Sequence, residues 1–312
     1  MTPLQRYIAE EIATDHVDGL LPRREAVRRL ALLGMSAASA TALIAACSAE
    51  RGSAPASTSA PGSASTTTST SAPGTSAGPA PGMATALPTA DITWAGPRGE
   101  LMGAWAAAAE PKGAVLVIHE NKGLNDWVRT VAGRLAGIGY SALAIDLLSE
   151  EGGSATFTDP AEATAALGKI DASRFVADLK SGVEEVGRRA PGTKLAVMGF
   201  CFGGGLTWQL LAAGGEPQLS AAVPFYGPFP DGADFAGAKA AVLGFYGALD
   251  TRVTSTEGAA KAALDKAGLV NELVVEPNAD HAFFNDSGPR YNADAAADAW
   301  QKVQDWFGKY LS

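Results

Sequence analysis

The residue with the most reactive setting in this sequence is Cys201, at the centre of the segment 199–203, Gly-Phe-Cys-Phe-Gly. An apolar run at 194–198 precedes this segment, and a helix-like run at 206–211 follows it. Glycines two positions before and two after a nucleophile are typical of the strained strand-to-helix turn called a nucleophile elbow. Such a turn places the thiol at a helix N-terminus, which favours the thiolate. The pattern predicts a nucleophilic cysteine, and the alternative is a buried structural cysteine.

A carboxylate and a histidine follow Cys201 in the order that a hydrolase triad on such a turn requires. Asp250 comes directly after the buried-strand pattern at 240–247, and His281 lies in the turn after the short strand at 272–276. Taken alone, Asp250 is compatible with a helix cap or turn, and His281 with a structural histidine. Because all three fall in the strand-then-loop context of the motif, we predict that they form a catalytic triad, with His281 as the general base.

An earlier strand, 114–120, supplies the remaining parts of an acyl-transfer site. In a fold with this kind of elbow, the loop after that strand provides one backbone N–H to the developing oxyanion, and the residue after the nucleophile provides the other. Those donors are predicted to be the backbone N–H groups of Asn121 and Phe202.

The segment 199–204, Gly-Phe-Cys-Phe-Gly-Gly, together with Asp250, His281 and the strand-ending Glu120, resembles the dienelactone hydrolase (carboxymethylenebutenolidase) family of α/β hydrolases. The resemblance covers about residues 88–312. It implies an α/β-hydrolase fold and hydrolysis of esters or lactones through an acyl-cysteine. It also implies that Glu120 interacts with the resting thiol and helps to generate the thiolate when substrate binds.

The sequence departs from the family at the positions that bind a substrate carboxylate. Well-studied members place an arginine four residues after the catalytic histidine, where this chain has Asn285, and a second one in a segment corresponding to 147–158, which here contains no arginine or lysine. Since arginine suits carboxylates, Arg252 and Arg290 are candidate replacements. We expect hydrolysis of an ester or lactone, and whether dienelactone itself is accepted stays open. The predicted substrate contacts are Arg252, Arg290, Phe283 and Tyr226.

The amino-terminal region has the pattern of an export signal. Two arginine pairs at 23–29 precede a short apolar run at 30–46, which ends in small residues before Cys47. Such a pattern predicts a twin-arginine signal over residues 1–46 with a lipoprotein cleavage site, after which Cys47 is acylated. The protein is then exported to the cell envelope or extracellular face and anchored by lipid. The alternatives are an uncleaved anchor and a cytoplasmic tail.

Residues 47–87 are rich in Ser, Thr, Ala, Pro and Gly, a composition that buries too little apolar surface to fold. They are predicted to be a disordered tether between the signal and a folded domain at 88–312. The net charge of −9 argues against nucleic acid as a partner. No cysteine and histidine cluster suggests a metal, and no cofactor is predicted. A small ester or lactone is the expected ligand, and the oligomeric state stays open.

Strand and helix patterns alternate through the folded part. This alternation predicts an α/β fold with a mostly parallel central sheet and helices on both faces. Active sites of such sheets gather at the carboxyl ends of the strands, where the predicted site residues all fall. The predicted strands are 91–94, 100–106, 114–120, 141–147, 194–198, 220–227, 240–246 and 272–276, and the predicted helices are 126–138, 161–167, 172–189, 255–267 and 293–310.

Two functions of other classes remain open at this point. An activated cysteine in an exported chain is also compatible with a thiol redox or peroxide-sensing protein, which forms a stable sulfenic acid and turns over no ester. The other alternative is a noncatalytic, lipid-tethered binding protein on a hydrolase scaffold, since fold alone does not fix function.

Overall fold

A computed structural model describes residues 1–52, 79–214 and 216–312 of the chain. The chain divides into two compact units, Met1–Pro79 and Ala80–Ser312, and the predicted site residues other than Cys47 belong to the second. Much of the predicted tether, residues 53–78, lies outside the described residues.

The first unit is helical where it is described. Its helices are α1 (Pro3–Val17), α2 (Arg23–Leu32) and α3 (Ala37–Gly52). Helix α1 begins at a capping box, in which the Thr2 hydroxyl accepts from the Gln5 backbone N–H and the Gln5 side chain accepts from the Thr2 N–H. α1 packs against both other helices, and Cys47 lies on α3. Within the described ranges, every helix is too short or too polar to cross a membrane.

Strands of the second unit form one sheet in the part of the chain that is described. They are β1 (Ala90–Ala95), β2 (Glu100–Ala106), β3 (Gly113–Ile118), β4 (Tyr140–Asp146), β5 (Leu195–Phe200), β6 (Leu219–Phe225), β7 (Ala241–Gly247) and β8 (Asn271–Glu276). The order across the sheet is β1-β2-β4-β3-β5-β6-β7-β8. β1 pairs with β2 and β2 with β4 in antiparallel fashion, and all other neighbours are parallel. The predicted mostly parallel sheet is confirmed.

Helices cover the sheet of the second unit on both faces. They are α4 (Asp126–Gly137), α5 (Pro160–Leu167), α6 (Ala172–Arg189), α7 (Phe202–Ala212), α8 (Thr251–Thr254), α9 (Glu257–Lys266) and α10 (Ala293–Tyr310). Every residue of β3 is buried, which a strand achieves only when both faces of its sheet are covered. Local sequence fixes the helix starts, because Asn125, Asp171 and Asn292 each accept a hydrogen bond from a backbone N–H in the first turn of α4, α6 and α10.

Helix α7 begins at Phe202, earlier than the helix-like run at 206–211 suggested. The glycines between these points are poor helix formers, but they let the helix approach the sheet closely. A Cβ on Gly203 would lie 2.5 Å from the Ile118 carbonyl oxygen, and a Cβ on Gly204 would lie 2.4 Å from the Phe225 carbonyl oxygen. Sequence propensity is therefore overridden by the packing of α7 against β3 and β6.

The second unit starts before the predicted domain boundary at residue 88. It begins at Ala80, and the Leu87 N–H donates to the Gly133 carbonyl oxygen of α4 at 2.9 Å. The last residues of the predicted tether therefore pack on the folded unit. At the other end of that segment, α3 continues past Cys47 to Gly52.

Five strands deliver the predicted site residues to one edge of the sheet. Because β3, β5, β6, β7 and β8 are parallel, their carboxyl ends lie together, as in other open α/β sheets. Each of these ends is followed within a few residues by one polar side chain of the site: Glu120, Cys201, Tyr226, Asp250 and His281 respectively.

Candidate active site

Cys201 occupies the single-residue turn between β5 and α7. Its backbone has φ 55° and ψ −115°, a sparsely populated region for a residue with a side chain. Conformations of this kind cost about 1–3 kcal/mol and persist only where the surroundings enforce them. Here the Cys201 N–H donates to the Phe225 carbonyl oxygen at 3.0 Å, and its carbonyl oxygen accepts from the Gly205 N–H at 3.0 Å. A Cβ on Gly199 would lie 2.1 Å from the Gly203 carbonyl oxygen, which explains the glycine before the turn, and the close approach of Gly203 to the Ile118 carbonyl explains the glycine after it.

Asp250 and His281 form a buried acid–base pair. The His281 Nδ1 lies 2.6 Å from the Asp250 Oδ2. Burial acts to raise the pKa of Asp250, but His281, through its charge and its hydrogen bond, outweighs it, and the resulting pKa lies below the usual range for an aspartate. Asp250 also caps α8 by accepting from the Val253 N–H at 3.3 Å. The helix cap therefore does not prevent Asp250 from contacting His281, since its two oxygens take different partners.

The thiol lies beside this pair. The Cys201 Sγ and a ring nitrogen of His281 are within 4.8 Å of each other. Since Nδ1 of His281 contacts Asp250, the ring is oriented by the carboxylate as in hydrolase triads. The structure thus brings together the three residues that the sequence order suggested, close enough for proton transfer after a small adjustment.

Glu120 is held by two side chains whose role the sequence did not reveal. Its Oε2 accepts from the Asn285 Nδ2 at 2.8 Å, and its Oε1 accepts from the Tyr226 hydroxyl at 3.4 Å. The Asn285 Oδ1 in turn accepts from the backbone N–H and the hydroxyl of Ser287, at 3.0 and 2.6 Å. Asn285, which takes the place of a family arginine, therefore binds Glu120 through a neutral amide. The only sequence signal was its spacing from His281.

Tyr226 was predicted to contact substrate, and the structure also gives it contacts within the site. Its ring meets the His281 ring edge-on, with centroids 5.2 Å apart, and lies 5.5 Å from the Phe283 ring. Its backbone has a positive φ of 36°, directly after β6. Tyr226 thus packs against His281 and Phe283 packs against Tyr226, and contact of either residue with substrate stays a prediction.

The predicted oxyanion donors lie in the loop that follows β3, for Asn121, and at the start of α7, for Phe202. Phe202 is the first residue of α7, where helix N–H groups lack partners within the helix. The Asn121 carbonyl oxygen accepts from the Thr164 hydroxyl at 2.8 Å, which fixes the loop after β3 to α5. Both positions are compatible with N–H donors aimed at a developing oxyanion.

The two candidate arginines lie close in sequence to the acid–base pair. Arg252 is on α8, two residues after Asp250, and its positive charge contributes to the low pKa of that aspartate. The Arg290 Nε lies 3.5 Å from an oxygen of Asp280, the residue before His281. Each arginine therefore has a carboxylate close by, and a role in substrate binding stays a prediction for both.

The sequence of this chain is similar to a protein-family model and to several known proteins. The family model described as "Dienelactone hydrolase family" matches residues 102–311, which include every candidate site residue of the second unit. A "Putative carboxymethylenebutenolidase" of Methylorubrum extorquens is 34% identical over 221 residues, covering 65% of this chain and 74% of the relative. A protein of the same name in Salmonella typhimurium is 34% identical over 209 residues, covering 63% of this chain and 77% of the relative.

Solved structures of similar proteins share the fold. The crystal structure of a "Putative Dienelactone Hydrolase" from Klebsiella pneumoniae has a TM-score of 0.61 and 30% identity, covering 72% of this chain and 100% of that one. A dienelactone hydrolase-like promiscuous phosphotriesterase from metagenomic libraries has a TM-score of 0.64 and 26% identity, covering 73% of this chain and 100% of that one. The second unit therefore has the predicted α/β-hydrolase fold.

Replacing Asn285 by aspartate makes the stability of the site depend on pH. Asn285→Asp puts a second carboxyl group within hydrogen-bond distance of Glu120, and two such groups are stable together only when they share a proton. The folded variant then binds a proton that its unfolded chain does not bind at neutral pH. The variant is therefore almost as stable as wild type at about pH 4, and it becomes less stable than wild type as the pH rises.

The measurement is the melting temperature of both proteins from about pH 4 to 8, the range in which carboxyl groups lose their protons. Asn278→Asp is the matched control, because the Asn278 side chain is exposed on the turn after β8. We expect the difference from wild type to grow with pH for Asn285→Asp and to stay nearly constant for the control. Equal pH dependence in both variants would contradict the Glu120 contact.

Proposed function

Since this chain belongs to the dienelactone hydrolase family and is a hydrolase of that kind, we propose that its second unit cleaves neutral carboxylic esters or lactones through an acyl-cysteine intermediate on Cys201. The observation that supports this proposal most strongly is the 2.6 Å contact between the His281 Nδ1 and the Asp250 Oδ2, with the Cys201 thiol within 4.8 Å of the same ring. A general base oriented by a carboxylate next to a nucleophile is the arrangement that acyl transfer needs.

The reaction proceeds in two halves. The Cys201 thiol gives its proton to His281, and the thiolate attacks the carbonyl carbon, whose oxygen receives hydrogen bonds from the backbone N–H groups of Asn121 and Phe202. The tetrahedral intermediate collapses, and the alcohol leaves with the proton from His281. Water then gives a proton to His281 and attacks the thioester, so that the acid is released and the thiol is restored.

Glu120 is proposed to help form the thiolate, as the family resemblance implies. Its carboxylate is buried at the end of β3 and tied to Asn285 and Tyr226. The argument for a neutral substrate comes from position 285, because the residue that takes the place of the family arginine is an uncharged asparagine whose Nδ2 already donates to Glu120. A substrate carboxylate would therefore find no positive charge at this position, whereas a neutral ester needs none.

The other classes of function have less support. A peroxide-sensing thiol needs an accessible thiolate, and a binding protein needs a cleft, but neither needs the contact between Asp250 and His281. Both alternatives leave unexplained why an acid, a base and a cysteine arrive from three separate strand ends.

We also propose that the mature protein is exported and held at the membrane by lipid on Cys47. The support is the sequence pattern of paired arginines at 23–29, the apolar run that follows and the small residues before Cys47. The net charge of −9 gives the protein no electrostatic attraction to anionic lipid, so a covalent lipid is the expected means of attachment.

Turnover by the purified protein tests the hydrolase proposal. A neutral short-chain aryl ester should be hydrolysed faster than dienelactone, because Asn285 offers no positive charge to the carboxylate of the latter. Cys201→Ala should lower turnover at least about 10³-fold while the fold is kept, since the nucleophile is lost. Cys47→Ala is the matched cysteine control and should keep wild-type rates. Normal turnover by Cys201→Ala would exclude the acyl-cysteine, and a preference for dienelactone would exclude the neutral substrate class.

Membrane attachment is tested by expressing the full chain in a bacterium with twin-arginine export and supplying an alkyne-labelled fatty acid. We expect label on the protein and partition into the detergent phase for wild type and for Cys201→Ala. Cys47→Ser should lose both, because the hydroxyl does not accept the lipid that the thiol accepts. Labelling of Cys47→Ser to the wild-type level would refute the anchor.

A further inference from the structure

His119 is a buried histidine that the proposed reaction does not use. It follows β3 and immediately precedes Glu120, and its side chain is fully buried. Both ring nitrogens have backbone partners. Nδ1 lies 2.6 Å from the Glu120 carbonyl oxygen, and Nε2 lies 3.2 Å from the Leu147 backbone nitrogen at the end of β4.

These two partners determine the tautomer of the ring. The Leu147 N–H can only donate, so Nε2 must accept and carry no proton. The Glu120 carbonyl oxygen can only accept, so the proton is on Nδ1. Burial lowers the pKa of His119, against the opposing charge of Asp146, which agrees with a neutral ring. His119 therefore donates to Glu120 and accepts from Leu147 at the same time.

The hydrogen bond from His119 to the Glu120 carbonyl oxygen also orients the backbone N–H of Asn121. The Glu120 C=O and the Asn121 N–H belong to one planar trans peptide group, in which they point in opposite directions. Holding the carbonyl against the His119 ring therefore directs the Asn121 N–H away from that ring. The next peptide group is held as well, because the Asn121 carbonyl oxygen accepts from the Thr164 hydroxyl at 2.8 Å.

The same ring also contacts the other predicted oxyanion donor. The rings of His119 and Phe202 are nearly parallel, 9° apart in plane, with centroids separated by 6.4 Å. Phe202 is supported from another side by the Phe175 ring of α6, whose centroid is 5.3 Å away at 84°. One buried imidazole thus lies against both residues whose N–H groups are proposed to bind the oxyanion.

The Leu147 N–H, which donates to the His119 Nε2, lies in a loop that several hydrogen bonds hold in place. Asp146, the last residue of β4, accepts from the Leu148 N–H at 2.9 Å and from the Ser154 N–H and hydroxyl at 2.7 Å each. The Ser154 hydroxyl oxygen also accepts from the Leu124 N–H at 2.8 Å. This hydrogen bond connects the loop after β4 to the loop after β3. The Leu147 N–H that orients His119 therefore comes from a well-fixed segment.

We propose that His119 is a positioning residue that orients the oxyanion hole, by holding the Glu120–Asn121 peptide through its Nδ1–H and by packing against Phe202. The role rests on the proposed function, because it has meaning only if the Asn121 N–H binds the oxyanion. It concerns transition-state stabilisation, so the thiolate and the binding of substrate are left largely untouched.

Two near-isosteric variants separate the donor from the acceptor. In His119→Asn, the side-chain amide lies near the position of Nδ1 and can still donate to the Glu120 carbonyl. In His119→Gln, the amide lies near the position of Nε2 and can still accept from the Leu147 N–H. Each variant loses the ring and one hydrogen bond, so a merely structural role predicts similar behaviour for both.

The measurements are kcat and KM for a neutral aryl ester, and the rate of Cys201 alkylation by iodoacetamide, which needs the thiolate but no oxyanion hole. We expect His119→Gln to lose about 10²-fold in kcat, the usual effect of losing one oxyanion donor, and His119→Asn to lose less than about 10-fold. KM and the alkylation rate should change little in both. Near-ultraviolet circular dichroism checks the fold.

Equal losses of kcat in the two variants, or a larger loss in His119→Asn, would overturn the positioning role while leaving the hydrolase proposal intact. If His119→Gln does not fold, His119→Asn decides alone: a kcat near wild type supports the role, and a loss of about 10²-fold with normal alkylation refutes it. Absence of ester turnover in the wild-type protein would overturn the proposed function, and this role with it.

Discussion

The close approach of helix α7 to the sheet is the constraint on which the site depends. Glycines at 203 and 204 let the helix backbone contact carbonyl groups at the ends of β3 and β6, and no side chain fits there. The chain must therefore reverse from strand to helix within one residue, which forces Cys201 into a positive φ. The strain of about 1–3 kcal/mol is sustained by the surrounding hydrogen bonds, and it presents the thiol at a helix N-terminus.

Around this fixed point, the site is assembled from separate loops at one edge of the sheet. Asp250 orients His281 through a short contact, and two neutral groups, the Asn285 amide and the Tyr226 hydroxyl, hold the Glu120 carboxylate. An arginine at position 285 would bring a positive charge to this part of the site, whereas the Asn285 amide brings none. The proposal of a neutral substrate rests on this difference.

Much of the architecture was predictable from the sequence because local patterns carry it. The alternation of strands and helices and the elbow glycines depend on residues close together in the chain. Cys201, Asp250 and His281 are far apart, but each follows its own strand pattern, which is a local signal. The start of α7 at Phe202 was not predictable, since glycine disfavours helices. Only the packing of α7 against β3 and β6 requires glycines at these positions.

Contacts between distant segments were also beyond the sequence. Glu120 and Asn285 are 165 positions apart, and nothing in either segment specifies their hydrogen bond. The link from His119 to Leu147 likewise depends on the pairing of β3 with β4. The signal segment and its lipid site stay predictions, because they rest on the sequence pattern alone.

The most direct test of the central claim is rapid quenching in acid during turnover of a neutral aryl acetate, followed by mass spectrometry of the peptides. Acid preserves a thioester, so each quench time reports the acylated fraction of every candidate nucleophile. We predict an acetyl group on the peptide that contains Cys201, formed before the acid product appears at its steady rate. Release of product at the full rate with the Cys201 peptide unmodified at every time, or acylation of another residue instead, would contradict it.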